Sequence, residues 1–140
     1  MELTSNITQT VNANNNVVFI TTRIPGNCSL VHTEGSGNIK MRGISNTQCR
    51  SRFKVTFTGN IAIPTGGTAG AISVAISIDG EPVQTSKMIV TPAAVEEYFN
   101  VSSSVYIDVP TGCCSTAGVT NTSTVPISVQ NANIIVERVA

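Results

Sequence analysis

From Ala71 to Val83 the chain reads AISVAISIDGEPV, and its large aliphatic residues fall at every second position: Ile72, Val74, Ile76 and Ile78. A repeat of two cannot give a helix one apolar face, and β-branched side chains suit a pleated surface, so the segment is a half-buried strand. The alternate positions, Ala71, Ser73, Ala75, Ser77 and Asp79, are small or polar. Asp79-Gly80 then supplies residues that tolerate a positive φ, and Pro82 lacks the N–H a ladder needs, which predicts a turn.

The same reading extends along the chain. Strands are expected over 16–24, 28–34, 38–44, 52–63, 71–79, 88–92, 98–110, 115–123, 125–131 and 133–139, with IPGN, GSGN, PTGGTAG, DGEP and PTGCC between them. AAVEEYF (Ala93 to Phe99) is expected to be a loop entering a strand. About ten short strands with closely spaced turn signals predict an all-β sandwich or barrel. At 140 residues, with no linker and no internal repeat, the expectation is a single domain over 1–140.

Charge and composition narrow the function. Eight basic and eight acidic residues leave no net charge, and no basic cluster exceeds RSR (Arg50 to Arg52), so neither nucleic acid nor an anionic membrane is an expected partner. Only 11% of residues are charged, which leaves little to oppose association and favours an assembly. The first sixteen residues, MELTSNITQTVNANNN, have neither a basic region nor an apolar core, so the expectation is cytoplasmic synthesis without a signal peptide.

Chemistry finds little support. His32 is the only histidine and alternates within a strand, without the positioned nucleophile and second group that catalysis needs. Glu96 and Glu97 are adjacent, which in a strand sends them to opposite faces. PTGGTAG lacks the Lys-Ser/Thr of a phosphate loop. The expectation is no enzyme, no catalytic residue and no cofactor. Of the four cysteines, Cys28 and Cys49 stand alone and Cys113-Cys114 are vicinal; without C-x-x-C knuckles no metal is expected. Free thiols are one reading. The other is a thiol cluster, in which Cys113-Cys114 meets its own copies across a symmetry axis, or meets Cys28 or Cys49, and oxidises to disulfides.

Three motifs in order, RFKVTFTGNIAIP (52–64), AISVAISIDGEPV and NANIIVERVA (131–140), resemble the trimeric jelly-roll domains of the C1q/tumour-necrosis-factor-like superfamily, particularly its bacterial and phage branch. The last is similar to the end of the C-terminal domain of the collagen-like spore-surface filament protein. TPAAVEEYFNVSS (91–103) and NANIIVERVA also resemble short proteins encoded among phage virion genes. The chain lacks the Gly-X-Y stalk of the spore protein and the aromatic-rich core of animal members. The resemblance implies a ten-stranded antiparallel jelly-roll sandwich that forms a homotrimer. By that analogy Ile72, Val74, Ile76 and Ile78 fill the sandwich and the Ala/Ser face looks outward.

The last strand then becomes the trimer candidate, through Ile134, Ile135, Val136 and Val139. Ile134 and Val136 point one way and Ile135 and Val139 the other, as expected where one face meets the core and the other a threefold axis; parity alone does not say which. The polar stretch Glu2 to Asn15 is expected to be an arm that docks on a particle, a first edge strand, or disordered. The implied function is a virion structural protein of a tailed phage or prophage, as capsid decoration or head fibre, with itself and capsid or other virion proteins as partners. The alternatives are a receptor- or carbohydrate-binding tail-fibre tip and a spore-surface coat subunit. Against a sugar site stands the scarcity of aromatic platforms, Tyr98 and Tyr106 being the only tyrosines.

Overall fold

A computed structural model describes residues 1–44 and 49–140. Among these, two antiparallel sheets pack face to face. One holds β1 (Glu2–Ser5), β2 (Gln9–Val11), β3 (Thr21–Ile24), β6 (Arg50–Ala62), β10 (Phe99–Pro110) and β12 (Ile127–Arg138). Its order is β10-β6-β12-β1-β3, with β2 also beside β12. The other holds β4 (Leu30–His32), β5 (Ile39–Arg42), β7 (Ile72–Ile78), β8 (Glu81–Pro82), β9 (Met88–Val90) and β11 (Cys114–Asn121). Its order is β4-β5-β11-β7-β8, with β9 also beside β7. The all-β sandwich is as expected; the described residues hold twelve strands rather than ten, because short pieces pair where no long apolar run announces them.

Alternation builds the core. Along β6, Phe53, Val55 and Phe57 are fully buried between the sheets while Lys54, Thr56 and Thr58 alternate on the open side. From the facing sheet come Ile39, Met41, Ile72, Val74, Ile76 and Val119. Phe19 and Val17, from the irregular segment before β3, complete the filling. That segment was expected to be strand from Asn16; regular pairing starts only at Thr21, and Asn16 makes an isolated bridge to Thr120.

Four further expectations are corrected. β7 is buried on both faces, not one. Its small side chains let neighbouring polar groups close over them, with Ser73 Oγ 2.6 Å from Thr122 Oγ1, and Thr120 Oγ1 donating to Ser77 Oγ at 2.9 Å. In the N-terminal stretch, β1 is not an edge: it lies between β12 and β3, with Leu3 and Ser5 buried, while β2 pairs with β12 alone. The strands expected at 125–131 and 133–139 are one strand, β12, with a register shift between Gln130 and Asn133 and Asn131 at φ 54°. This bulge adds one residue, so the core positions change from Ile127 and Val129 to Ala132, Ile134 and Val136. Pro82 does not stop pairing either: Asp79 (φ 51°) and Gly80 (φ 84°) form a two-residue hairpin turn, and Ser77 pairs with Pro82 beyond it.

Candidate functional site

The side of β10-β6-β12-β1-β3 that faces away from the core is a regular surface of side chains. Its side chains line up in rows set by the strand register. Ser104, Thr56, Ile135 and Glu2 lie side by side across β10, β6, β12 and β1. The next row is Ser102, Thr58, Asn133 and Thr4. Hydrogen bonds tie the rows together: Thr56 Oγ1 is 2.9 Å from Ser104 Oγ, Thr58 Oγ1 is 3.4 Å from Ser102 Oγ, and Asn100 Nδ2 donates to Asn60 Oδ1 at 3.0 Å. Cross-strand hydroxyl pairs of this kind hold side chains in place at modest energy.

Two carboxylates on this face are paired with arginines. Arg52 grips Asp108 with two hydrogen bonds, Nε to Oδ1 at 2.7 Å and Nη2 to Oδ2 at 3.0 Å. Arg50 Nε lies 3.7 Å from Asp108 Oδ2. The Arg52 hydrogen bond holds the Asp108 carboxyl below its ordinary value, and Asp108 in turn raises Arg52. Glu2 accepts from Asn133 Nδ2 at 2.7 Å and pairs with Arg23; the Asn133 bond first, and then Arg23, lower its pKa. The face is thus polar, with Asp108 and Glu2 paired to arginines and with Lys54 and Glu137 opposite each other across β6 and β12.

Apolar side chains stand out from this polar array. Ile135 is 38% exposed, Val139 45% and Tyr106 66%. Val139 and Tyr106 flank a cavity of about 490 Å³ whose wall also includes Arg52, Asp108 and Ala140. Of the four trimer candidates, Ile134 and Val136 are fully buried inside the sandwich, while Ile135 and Val139 lie on the open face. Parity in the sequence did not say which pair fills the core; past the bulge at Asn131, Ile134 and Val136 do. The hydroxyl rows and the Arg52–Asp108 pair were not singled out from the sequence. Their signal is the polar alternation in RFKVTFTGN and FNVSSSVYID, which also fits an ordinary solvated strand.

The four cysteines are all exposed with free thiols, and they gather at one end of the sandwich. Cys49 immediately precedes β6, and its carbonyl accepts from Thr111 N at 3.1 Å. The Cys113 carbonyl accepts from Gly43 N at 2.9 Å, Cys114 pairs with Arg42, and Ser29, next to Cys28, accepts from Arg42 N at 2.8 Å. His32 Nε2 lies 3.1 Å from the Ser36 carbonyl, within its own hairpin. Glu96 accepts from Thr65 N and Oγ1 at 3.0 and 2.9 Å, which holds the 64–67 turn. Beside that turn lies a second cavity of about 500 Å³, lined by Thr10, Ile63 to Thr68, Val125 and Pro126. Among the described residues no group of three or more His, Cys, Asp or Glu could hold a metal ion.

No protein-family model and no curated protein matches the sequence. Solved structures do match the fold. The globular domain of the zebrafish complement 1qA protein superposes with a TM-score of 0.53 at 10% identity, over 96% of this chain and 93% of that one. The family 35 carbohydrate-binding module of Cellvibrio japonicus Abf62 matches with a TM-score of 0.40 at 9% identity, over 100% and 98%. The EclA C-terminal domain, described as a sugar-binding protein, matches with a TM-score of 0.36 at 13% identity, over 84% and 89%. Two antiparallel sheets, the strand order and the superposition together identify an all-β jelly roll with the fold of the C1q globular domain.

Proposed function

We propose that this chain is a non-catalytic structural module that assembles as a homotrimer through the open face of β10-β6-β12-β1-β3. In this reading it is carried on the particle of a tailed phage or prophage, as capsid decoration or head fibre. The observation that carries the assembly is that Ile135 and Val139 stand exposed on a face where Asp108 and Glu2 are already paired with arginines. Bringing copies of such a face together removes apolar surface from water while Asp108 and Glu2 keep their arginine partners, and the Thr and Ser hydroxyls can exchange partners between copies. The resemblance of NANIIVERVA to the closing strand of trimeric jelly rolls gives the symmetry, and the likeness to virion-encoded chains gives the setting.

Particle proteomics tests the setting. In purified virions that encode this chain, decoration requires copy numbers comparable with the major capsid protein. A handful of copies favours a fibre tip, and absence from the particle removes the virion reading. The cavity beside Thr65 favours the carbohydrate-binding alternative, since the hydroxyls of Thr10, Thr65 and Thr68 and the backbone of Gly66 and Gly67 offer hydrogen bonds, although no aromatic side chain lines it. A glycan array probed with the purified protein separates the two readings: saturable binding that Thr65→Trp abolishes supports the sugar site.

A further inference from the structure

We propose that Cys49 and Cys113 are the oxidation-sensitive pair of this protein, closing into an intramolecular disulfide that staples the two sheets at one end of the sandwich. Four exposed cysteines at that end allow six pairings; the backbone framework sets Cys28 apart from Cys113 and Cys114 and places Cys49 beside Thr111. A disulfide needs Cα atoms about 4.4–6.8 Å apart. Cys28 lies on the far side of the strand that carries Arg42 and Gly43, as the bond from Arg42 N to the Ser29 carbonyl shows, whereas Cys113 and Cys114 lie on its near side. With strands about 4.8 Å apart, a residue two strands away is near 9.6 Å, beyond reach. The vicinal pair fails for the opposite reason. Consecutive Cα atoms are about 3.8 Å apart, so a Cys113–Cys114 bond is strained.

Cys49 and Cys113 have the favourable framework. Cys49 stands opposite Thr111, one step beyond the Arg50–Pro110 pair of β6 and β10. Pro110 to Cys113 then forms a tight turn, closed by Cys113 N donating to the Pro110 carbonyl at 3.0 Å and made possible by Gly112 at φ 83°. Such a turn keeps Cys113 within about 7 Å of Pro110 and two residues from Thr111, whose N–H donates to the Cys49 carbonyl at 3.1 Å. Cys114 has already entered β11 and pairs with Arg42, which leads it away. Cys49 immediately precedes β6 of one sheet and Cys113 immediately precedes β11 of the other, so the bond would tie the two layers at that end.

The chemistry requires an oxidant, and a low-molecular-weight disulfide such as oxidised glutathione supplies it. One protein thiolate attacks a glutathione sulfur and releases one glutathione thiolate; the second attacks the mixed disulfide and releases the other. The two thiol protons end on the two glutathione molecules, and the protein loses two hydrogens.

The test incubates the folded protein with oxidised glutathione, alkylates the remaining thiols and maps the peptides without reduction. The expected product is a chain two hydrogens lighter, with Cys49 cross-linked to the peptide that contains Cys113 and Cys114, and with Cys28 alkylated. Cys114→Ser must still form the bond and Cys113→Ser and Cys49→Ser must not. The oxidised wild type should melt several degrees higher than the reduced form. A bond to Cys28, a bond that survives Cys113→Ser, cross-links between chains, or glutathione adducts alone would each overturn the proposal. Should a serine variant fail to fold, the wild-type map still decides whether Cys28 takes part and whether any bond forms at all.

Discussion

Ile134 and Ile135 are consecutive in β12, yet Ile134 is fully buried between the sheets and Ile135 stands 38% exposed on the open face. Two residues of identical chemistry therefore meet different environments, and their substitution separates folding from assembly. Ile134→Ala should lower stability by about 2–5 kcal/mol, the usual cost of a cavity in a packed core. Ile134→Asp should leave no folded protein, because a carboxylate there has no partner and no water. Ile135→Asp should retain the β circular dichroism spectrum and a cooperative melt. Chemical denaturation of the three variants beside the wild type checks the contrast; equal losses at both positions would place Ile135 in the core as well.

Asn121 makes a second prediction. It is fully buried, with Nδ2 donating to the carbonyls of Val11 at 3.0 Å and Val125 at 2.9 Å, while Oδ1 accepts from Ser123 N at 2.9 Å. One side chain thereby satisfies three backbone groups on different segments. Asn121→Ala strands the buried Val11 carbonyl, at about 1–3 kcal/mol, while the Val125 and Ser123 groups can turn to water. A loss of about 1–3 kcal/mol in urea titrations is expected; a loss below about 1 kcal/mol would mean that water replaces the amide there too.

Acid should weaken the open face. Asp108 and Glu2 both have carboxyls held below their ordinary values in the folded chain, by Arg52 and by Asn133 with Arg23. A carboxylate with a depressed folded pKa adds stability that is present above its unfolded pKa and lost as the pH falls through the folded one. The melting temperature should therefore fall on acidification below about pH 4, where free carboxylates protonate. Asp108→Asn combined with Glu2→Gln should flatten that decline. An identical acid profile in the double variant would assign the effect to other groups.

How much of this was legible in the sequence follows from where the physics is local. Alternation in β6 and β7 and the Asp79-Gly80 turn are local signals, and they suffice for the fold class. β1 was not legible as an interior strand, because Leu3 is its one large aliphatic and its burial depends on β12 and β3, distant in sequence. The bulge at Asn131 was read as a break, since a change of parity looks the same whether a strand ends or takes in one extra residue. For the site, Ile135 and Val139 were visible as apolar and the four cysteines as a set, but the face of one and the shared end of the other arise only from pairing across the sheets. The Thr56–Ser104 and Arg52–Asp108 contacts were silent for the same reason.

The proposed assembly rests on the open face, and its mass in solution tests it most directly. Light scattering coupled to size exclusion should give three times the 14.6 kDa chain mass, persisting on dilution as expected for an interface above about 1,000 Å². Ile135→Asp, which sets three carboxylates around one axis, should run as a folded monomer at neutral pH and regain the trimer only when acid neutralises them. Wild-type protein at the mass of a single chain, or an Ile135→Asp variant that remains trimeric at neutral pH, would contradict assembly through this face.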